Sequence, residues 1–368
     1  MPIYMDSHIV PGVEAKHVAK AHKKDLGIQD QFGCRNMTYW VDENRGRVFC
    51  LIDAPNEQAV RDMHNHAHGL VPHEIIQVNS KVVEAFLGRI SDPETHTVVE
   101  GEDPKIFNDP AFRVLLAISI KHKGLLYHEL GRERASTLLT LFYSTVKQKI
   151  KEFEGNEVQI EGEDIVVSFA SVSMGVYCAH AIQAALHIAS VPIDLRMGLH
   201  AGLPVDNSLS IFGRTVNLAR YLCTLEGKER IVMSALVSNL NPTHSNQHPI
   251  EGADVRNLSS SEEKILLALA DVFEQKGQNP DLGIADITND LGMSKSRLYR
   301  KCKAATGKSI NALLREFRLR KSLELLGLKD HNVSQASLEA GFNSPSYFIK
   351  CFQQRFGLLP LSYSKTLT

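Results

Sequence analysis

"IADITNDLGMSKSRLYRKCKAATG" occupies residues 284–307. A short apolar-periodic segment, a turn at Gly292 and a second segment opened by Ser294 read as two helices joined by a tight corner, with Ser294 as the N-cap. Residues 333–357, "VSQASLEAGFNSPSYFIKCFQQRFG", repeat the scheme, with Gly341 in the turn, Ser344 at the cap and Pro345 at the first helical position. Both second helices set Tyr, Lys or Arg opposite their apolar residues. From Glu262 onward the pattern is helical throughout, so the last third of the chain is an all-α domain with two helix-turn-helix units.

The charge distribution points the same way. Residues 280–368 hold 14 Lys/Arg against 7 Asp/Glu, a net of +7, while the remainder holds 27 against 35, a net of −8. A basic domain joined to an acidic body is a footprint of polyanion binding. A narrow helix can enter the major groove, project its early residues onto base edges and leave neighbouring cations to hold phosphates.

"LGMSKSRLYRKCKAATGKSINALLREFRLRKSLELL" and "AGFNSPSYFIKCFQQRFGLLPLSY" together resemble the AraC/XylS family of bacterial transcription regulators over residues 280–364. The resemblance implies that Ser296, Tyr299 and Arg300 face bases in one groove, and Ser346, Tyr347 and Lys350 in the next. Lys350 stands where the family usually has Arg. Lys295, Arg297, Lys301 and Lys303 are phosphate contacts in this reading. A good base contact contributes about 1–3 kcal/mol of discrimination. Double-stranded DNA, RNA polymerase and a second copy of the chain are the implied partners, and activation of transcription the implied output.

At 368 residues the chain has the length of two to three domains. The six cysteines are scattered without a CxxC pair, which argues for reduced, buried thiols. No apolar run reaches the roughly 18–20 residues of a membrane span, and no basic-then-apolar leader opens the chain, so a cytoplasmic location is expected.

Residues 1–90 read as strand, helix, hairpin, helix, strand, a βαββαβ ferredoxin-like sandwich. The first strand covers Ile3 to Val10, the hairpin is "TYWVDENRGRVFCLIDA", and "HEIIQV" is the last strand. Seven of the 16 histidines fall before residue 74, four of them in "MHNHAHGLVPH", residues 63–73. His64 and His68 lie one helical turn apart beside an apolar stripe of Ala59, Val60, Met63 and Ala67. In the first helix His22 and Asp25 lie inside a stripe of Ala15, Val18, Ala21 and Leu26. Asp6 and His8 share one face of the first strand. Buried polar groups need partners, so these ask for each other, a metal or a subunit interface. "MDSH", "AHKKD", "YWVDE", "FCLIDAP" and "HNHAHGL" resemble a small ferredoxin-like family with a nickel-binding member. The metal ligands that this resemblance implies are His8, His22, Asp25, His64 and His68. Imidazole-rich sites suit nickel, zinc and copper alike.

The middle block, residues 111–240, mixes helices with an antiparallel sheet in an α/β domain. "GLHAG", "FGRTVNLARYL" and "EGED" resemble class III nucleotide cyclases. By that resemblance the catalytic positions hold Ser119 and Glu163 for two metal-binding Asp, Gln159 for a base-selecting Lys, and Ser210 for its polar partner. Asn217 survives, but Tyr221 stands where an Arg is needed, with Arg220 one place early and turned about 100° away on a helix. Nucleotidyl transfer depends on charge stabilisation. A pocket lacking these groups reads as a pseudo-cyclase, a scaffold or nucleotide-sensing site without a catalytic residue.

The expectation is a multidomain α+β chain: a ferredoxin-like sandwich at 1–90, a linker at 91–110, a degenerate cyclase-like domain at 111–240, a linker at 241–261, and a double helix-turn-helix domain at 262–368. Its function is sequence-specific DNA binding and transcriptional regulation, with metal or ligand sensing upstream and no enzyme activity. Two alternatives stand beside it, an active nucleotide cyclase carrying a DNA-binding domain and a metal-storage protein with the same appendage.

Overall fold

A computed structural model describes residues 1–93, 106–120, 126, 130–159, 164–189, 193–206, 208–225, 230–241, 255–328 and 331–367. The first block runs β1 (Ile3–Ile9), α1 (Ala15–Ile28), β2 (Arg35–Asp42), β3 (Arg47–Asp53), α2 (Glu57–Ala67) and β4 (Glu74–Val78). Its four strands lie in the order β2-β3-β1-β4, every pair antiparallel, which is the expected βαββαβ sandwich. Alternation along β1 turns Tyr4 toward the helices and Met5 toward the opposite face. Leu26 departs from its expected place and is 42% exposed, because the buried face of α1 runs through Ala15, Val18, Ala19, His22 and Asp25. One residue beyond Asp25 is a rotation of about 100°.

The face of this sheet away from α1 and α2 is buried too. Met5, Trp40, Phe49 and Leu51 join Phe86 of α3 (Ser80–Leu87) and Ala117, Val166 and Phe212 of the middle block in one apolar cluster. The first two blocks therefore share a core. Residues 94–105 of the segment expected as a linker lie outside the described residues, but its ends pack onto the first block. The Phe107 ring stacks on Tyr39 with centroids 4.2 Å apart, and the Val41 amide donates to the Asp109 carbonyl at 3.0 Å.

The middle block comprises β5 (Arg113–Ile120), α4 (Arg132–Glu152), β6 (Asn156–Val158), β7 (Ile165–Phe169), α5 (Val172–Ile188), β8 (Leu195–Gly202), α6 (Gly213–Leu222), β9 (Ile231–Met233), α7 (Ala235–Leu240) and β10 (Val255–Asn257). The six strands run β10-β9-β8-β5-β7-β6, with β8, β9 and β10 mutually parallel and the remaining pairs antiparallel. β10 falls in the segment expected as the second linker, so that segment completes the sheet. α4 and α5 cover one face through Leu139, Phe142, Val146 and Ile182. α6 lies on the other so closely that a Cβ at Gly198 would run into the Ala219 carbonyl and stand 2.7 Å from Leu222 Cβ.

The last block is α8 (Ser260–Lys276), α9 (Ile284–Asp290), α10 (Lys295–Thr306), α11 (Ile310–Gly327), α12 (Val333–Glu339), α13 (Pro345–Phe356) and α14 (Pro360–Leu367). α10 and α13 are built alike. Ser294 and Ser344 cap them by accepting from the Arg297 and Tyr347 amides, and each 12-residue helix ends at a left-handed glycine, Gly307 or Gly357. Leu218, Tyr221 and Leu222 of α6 share a core with Leu266, Phe273 and Leu298, which joins the last block to the middle one. The second unit has its own core around Phe348 and Phe352. Buried Glu316 on α11 accepts from Arg355 of α13 at 2.7 Å and lies 3.8 Å from the Arg320 guanidinium. No helix among the described residues is long and apolar enough to cross a membrane.

Gly198→Ala should destabilise the protein by about 3 kcal/mol, read as a fall in the thermal midpoint, because a packed helix must shift. Burial alone would raise the Glu316 carboxyl, but Arg355 and Arg320 hold it below the usual range. Its contribution is thus present above the unfolded value of about 4.3 and lost as pH falls through the folded one. Glu316→Gln should lower neutral-pH stability by about 1–3 kcal/mol and flatten the acid limb of the stability curve, measured by urea unfolding from neutral to acidic pH.

Candidate functional site

On the duplicated helices, the early residues face solvent. Ser296, Arg297, Arg300 and Lys303 of α10 and Ser346 and Lys350 of α13 are exposed, with Tyr299 at 51% and Tyr347 at 50%. Leu298 and Cys302, like Phe348 and Phe352, are buried on the opposite side. An apolar back and a polar, basic front leave each helix free to enter a groove of about 12 Å width. Two expected phosphate contacts are already engaged. The Lys303 ammonium lies on the Gly307 carbonyl at its own helix end, and Lys301 reaches Ser261 Oγ at 3.4 Å. One basic residue not singled out from sequence also joins this face, since Arg315 of α11 donates to the Tyr347 hydroxyl at 3.3 Å.

A second cluster lies between the helices and the sheet of the first block. Asp25 on α1 and His64 and His68 on α2 meet in a triangle. His64 Nδ1 is 3.2 Å from Asp25 Oδ1 and 3.3 Å from His68 Nε2, and His68 Nε2 is 3.3 Å from Asp25 Oδ1. The other ring nitrogen of His64 is 2.8 Å from Asp6 Oδ2. Asp6 Oδ1 accepts from the Cys50 amide at 3.0 Å and lies 3.4 Å from His8 Nε2. Asp6, His8, Cys50 and His64 thus form a second group that shares His64 with the triangle, and all four are buried.

Burial opposes charge on His64, but Asp6 and Asp25 outweigh it and hold the imidazolium up to about 10. Burial likewise pushes the Asp6 carboxyl up, yet His8 and His64 hold it well below the usual carboxylate range. Asp25 is lowered by His64 and His68 against its own burial. Burial, with Asp6 and Asp25 nearby, pushes the Cys50 thiol up. Carboxylates beside imidazoles, all desolvated, are a self-consistent ionic network and also a donor set of the kind that holds a transition metal.

Of the expected ligands, His8, Asp25, His64 and His68 are brought together. His22 lines the same cavity of about 80 Å³, but its Nε2 faces Asp92 at 3.4 Å and its ring packs on Tyr39. Asp6 and Cys50 were not in the expected set. Strand alternation places Asp6 beside His8, whereas Cys50 enters through the β1–β3 register, which pairs it with Asp6.

In the middle block, Ser119 is buried on β5 and Gln159 is exposed after β6, while Glu163 lies outside the described residues. Ser210 and Asn217 do line one cleft, together with Arg220 and Tyr221. Asn217 donates to Glu274 of α8 at 2.5 Å, and the Arg220 guanidinium is 3.7 Å from Asp164.

Two families match. The one described as "Nickel responsive protein SCO4226-like" covers residues 4–78, and "Helix-turn-helix domain" covers residues 287–366. Among curated relatives, "Histidine kinase P4" of Formosa agariphila is 35% identical over 106 residues, 29% of this chain and 8% of that protein. The "Uncharacterized HTH-type transcriptional regulator YdeC" of Bacillus subtilis is 39% identical over 82 residues, 22% of this chain and 28% of that protein. The chain thus spans less than a third of the length of either relative. Among solved structures, a bacterial light-regulated adenylyl cyclase covers 66% of this chain and 87% of its own at 13% identity, with a TM-score of 0.32. The chain carries an N-terminal domain of the SCO4226-like family and a C-terminal helix-turn-helix domain of the kind found in AraC-type transcriptional regulators.

Proposed function

We propose that this chain is a sequence-specific DNA-binding transcriptional regulator of the AraC type, with a metal-responsive N-terminal domain and a middle domain that serves as a scaffold without catalysis. The carrying observation is the duplicated exposed helix, capped and terminated identically in both units, with Tyr299 and Arg300 on one and Tyr347 and Lys350 on the other. The two helices read successive major grooves of duplex DNA. A second copy of the chain would add its own half-site contacts and raise operator affinity without new chemistry. RNA polymerase is the partner through which such a protein acts.

The Asp25–His64–His68 triangle fits a divalent transition metal. Its edges of 3.2–3.3 Å match the roughly 3.0–3.4 Å between donors bound about 2.1 Å from one ion. The bound ion would supply a fixed charge that ties α1 to α2. Nickel is the first choice by family likeness, with zinc and copper chemically compatible. Asp6 is a positioning residue that accepts a hydrogen bond from His64 Nε2–H and keeps Nδ1 turned toward Asp25 and His68, where a metal would displace the Nδ1 proton of the imidazolium. The Leu70 amide donates to His68 Nδ1 at 3.1 Å, so neutral His68 carries its proton on Nε2. To offer Nε2 as a ligand, His68 must hold its proton on Nδ1 and release the Leu70 amide.

Arg300→Ala should relax base preference at one operator position by roughly 1–3 kcal/mol, whereas Lys350→Ala should act on the other half of the site, both read from binding to randomised duplexes. An Arg300→Ala protein with unchanged preference removes that residue from base reading. Purified protein should carry stoichiometric nickel, zinc or copper by elemental analysis, His64→Ala should lose it, and the Leu70 amide should exchange faster in the loaded form. Absence of stoichiometric metal after exposure to each ion leaves the cluster as a hydrogen-bonded network. Incubation with ATP or GTP and manganese should yield no cyclic product, and a clear product would overturn the scaffold reading of the middle domain.

A further inference from the structure

A cleft of about 450 Å³ opens where the three blocks meet. Gln77 and Asn79 border it from the first block, Asn217 and Tyr221 from the middle one, and Arg320 and Lys321 from α11 of the last. Its apolar wall is Val82, Phe86, Ile211 and Phe317. On the polar side, Arg320 Nη2 donates to the Arg220 carbonyl at 2.9 Å, and its guanidinium stands 5.7 Å from the Tyr221 ring centroid.

Two features mark the cleft as a site that takes a ligand. The Tyr221 hydroxyl is buried and finds no hydrogen-bond partner among the described residues, an unfavourable arrangement unless a bound atom answers it. The cleft also presents cationic donors. Arg220, Arg320 and Lys321 line it with Glu274 and Glu324. Lys321 pairs with Glu324 at 2.6 Å, whereas the Arg320 guanidinium is 3.8 Å from Glu316, longer than a hydrogen bond. Glu274 is bonded to Asn217 and pushed toward its neutral form by burial. Guanidinium groups beside an apolar wall recognise an anion attached to a hydrocarbon or aromatic body.

We propose that this cleft binds a small amphipathic organic anion, its apolar body against Phe86, Ile211 and Phe317 and its anionic group beside Tyr221, Arg320 and Lys321. Such a ligand touches all three blocks at once, and α11 is the helix that joins the two DNA-reading units. Binding is therefore linked to how those units are presented, through the difference in affinity between their arrangements. The site is separate from the Asp25–His64–His68 cluster and does not depend on metal.

Anilinonaphthalene sulfonate, an aromatic body with one sulfonate that fluoresces in apolar surroundings, serves as the probe on the full chain. One saturable equivalent should bind, and hydrogen exchange should slow together at residues 77–82, 213–222 and 317–324. Lys321→Glu should weaken the Kd by about tenfold or more, Tyr221→Phe should weaken it less, and Val82→Phe should abolish binding by filling the wall. Inorganic sulfate should compete poorly, since it lacks the apolar body. Non-saturable binding, protection elsewhere in the chain, or an unchanged Kd in Lys321→Glu each overturn the assignment, and equal competition by sulfate overturns its apolar part. None of these results bears on operator binding, which is tested separately through Arg300.

Discussion

Eight of the ten residues of α6 are buried, and they are buried against three different neighbours. Val216 and Ala219 pack toward the ferredoxin-like sheet, Leu218 and Leu222 toward the first helix-turn-helix unit, and the Gly198 contact seats the helix on its own sheet. A ten-residue helix packed on three neighbours is constrained by all of them, because close-packed interiors transmit displacement rather than absorb it. The three blocks thereby meet at α6, which shares apolar clusters with the first and the last.

This arrangement gives the Asp25–His64–His68 cluster and the two exposed helices α10 and α13 a physical connection. The cluster sits on the helix side of the first sheet, with Asp6 on β1 accepting from His64. Met5, the next residue back on β1, faces the opposite side and belongs to the core shared with α6. Strand alternation places adjacent residues on opposite faces, so one backbone segment carries both a cluster residue and a core residue. On the far side, Arg320 bonds the Arg220 carbonyl, and Glu316 ties α11 to α13 through Arg355. Each link is a contact between named groups, buried at Asp6 and His64 and partly buried at Arg320 and Arg355, and their sequence runs from β1 to α13.

Much of this was legible in the residues. The ferredoxin-like order follows from periodicity and turn residues, and the duplicated Ser-cap, Gly-turn scheme defines both exposed helices nearly to the residue. His64, His68, Asp25 and His8 could be named because helical and strand periods place them on inward faces. His22 satisfied the same periodicity and still turned to Asp92, since a position on a helix fixes the direction of Cβ but not the partner a long side chain finds. Leu26 failed as a core residue because the polar pair His22 and Asp25 marks the inward face more truly than the apolar residue beside it.

Local pattern alone determined the elements, their capping and the polarity of their faces, because these depend on neighbours within about four residues. Only the tertiary structure decided what covers the second face of the first sheet, that Val255–Asn257 completes the middle sheet, and that Cys50 and Asp6 meet across β1 and β3. It also decided that residues from all three blocks line one cleft. Those outcomes rest on contacts between residues far apart in the chain, and shape complementarity over such distances leaves no periodic trace in the sequence.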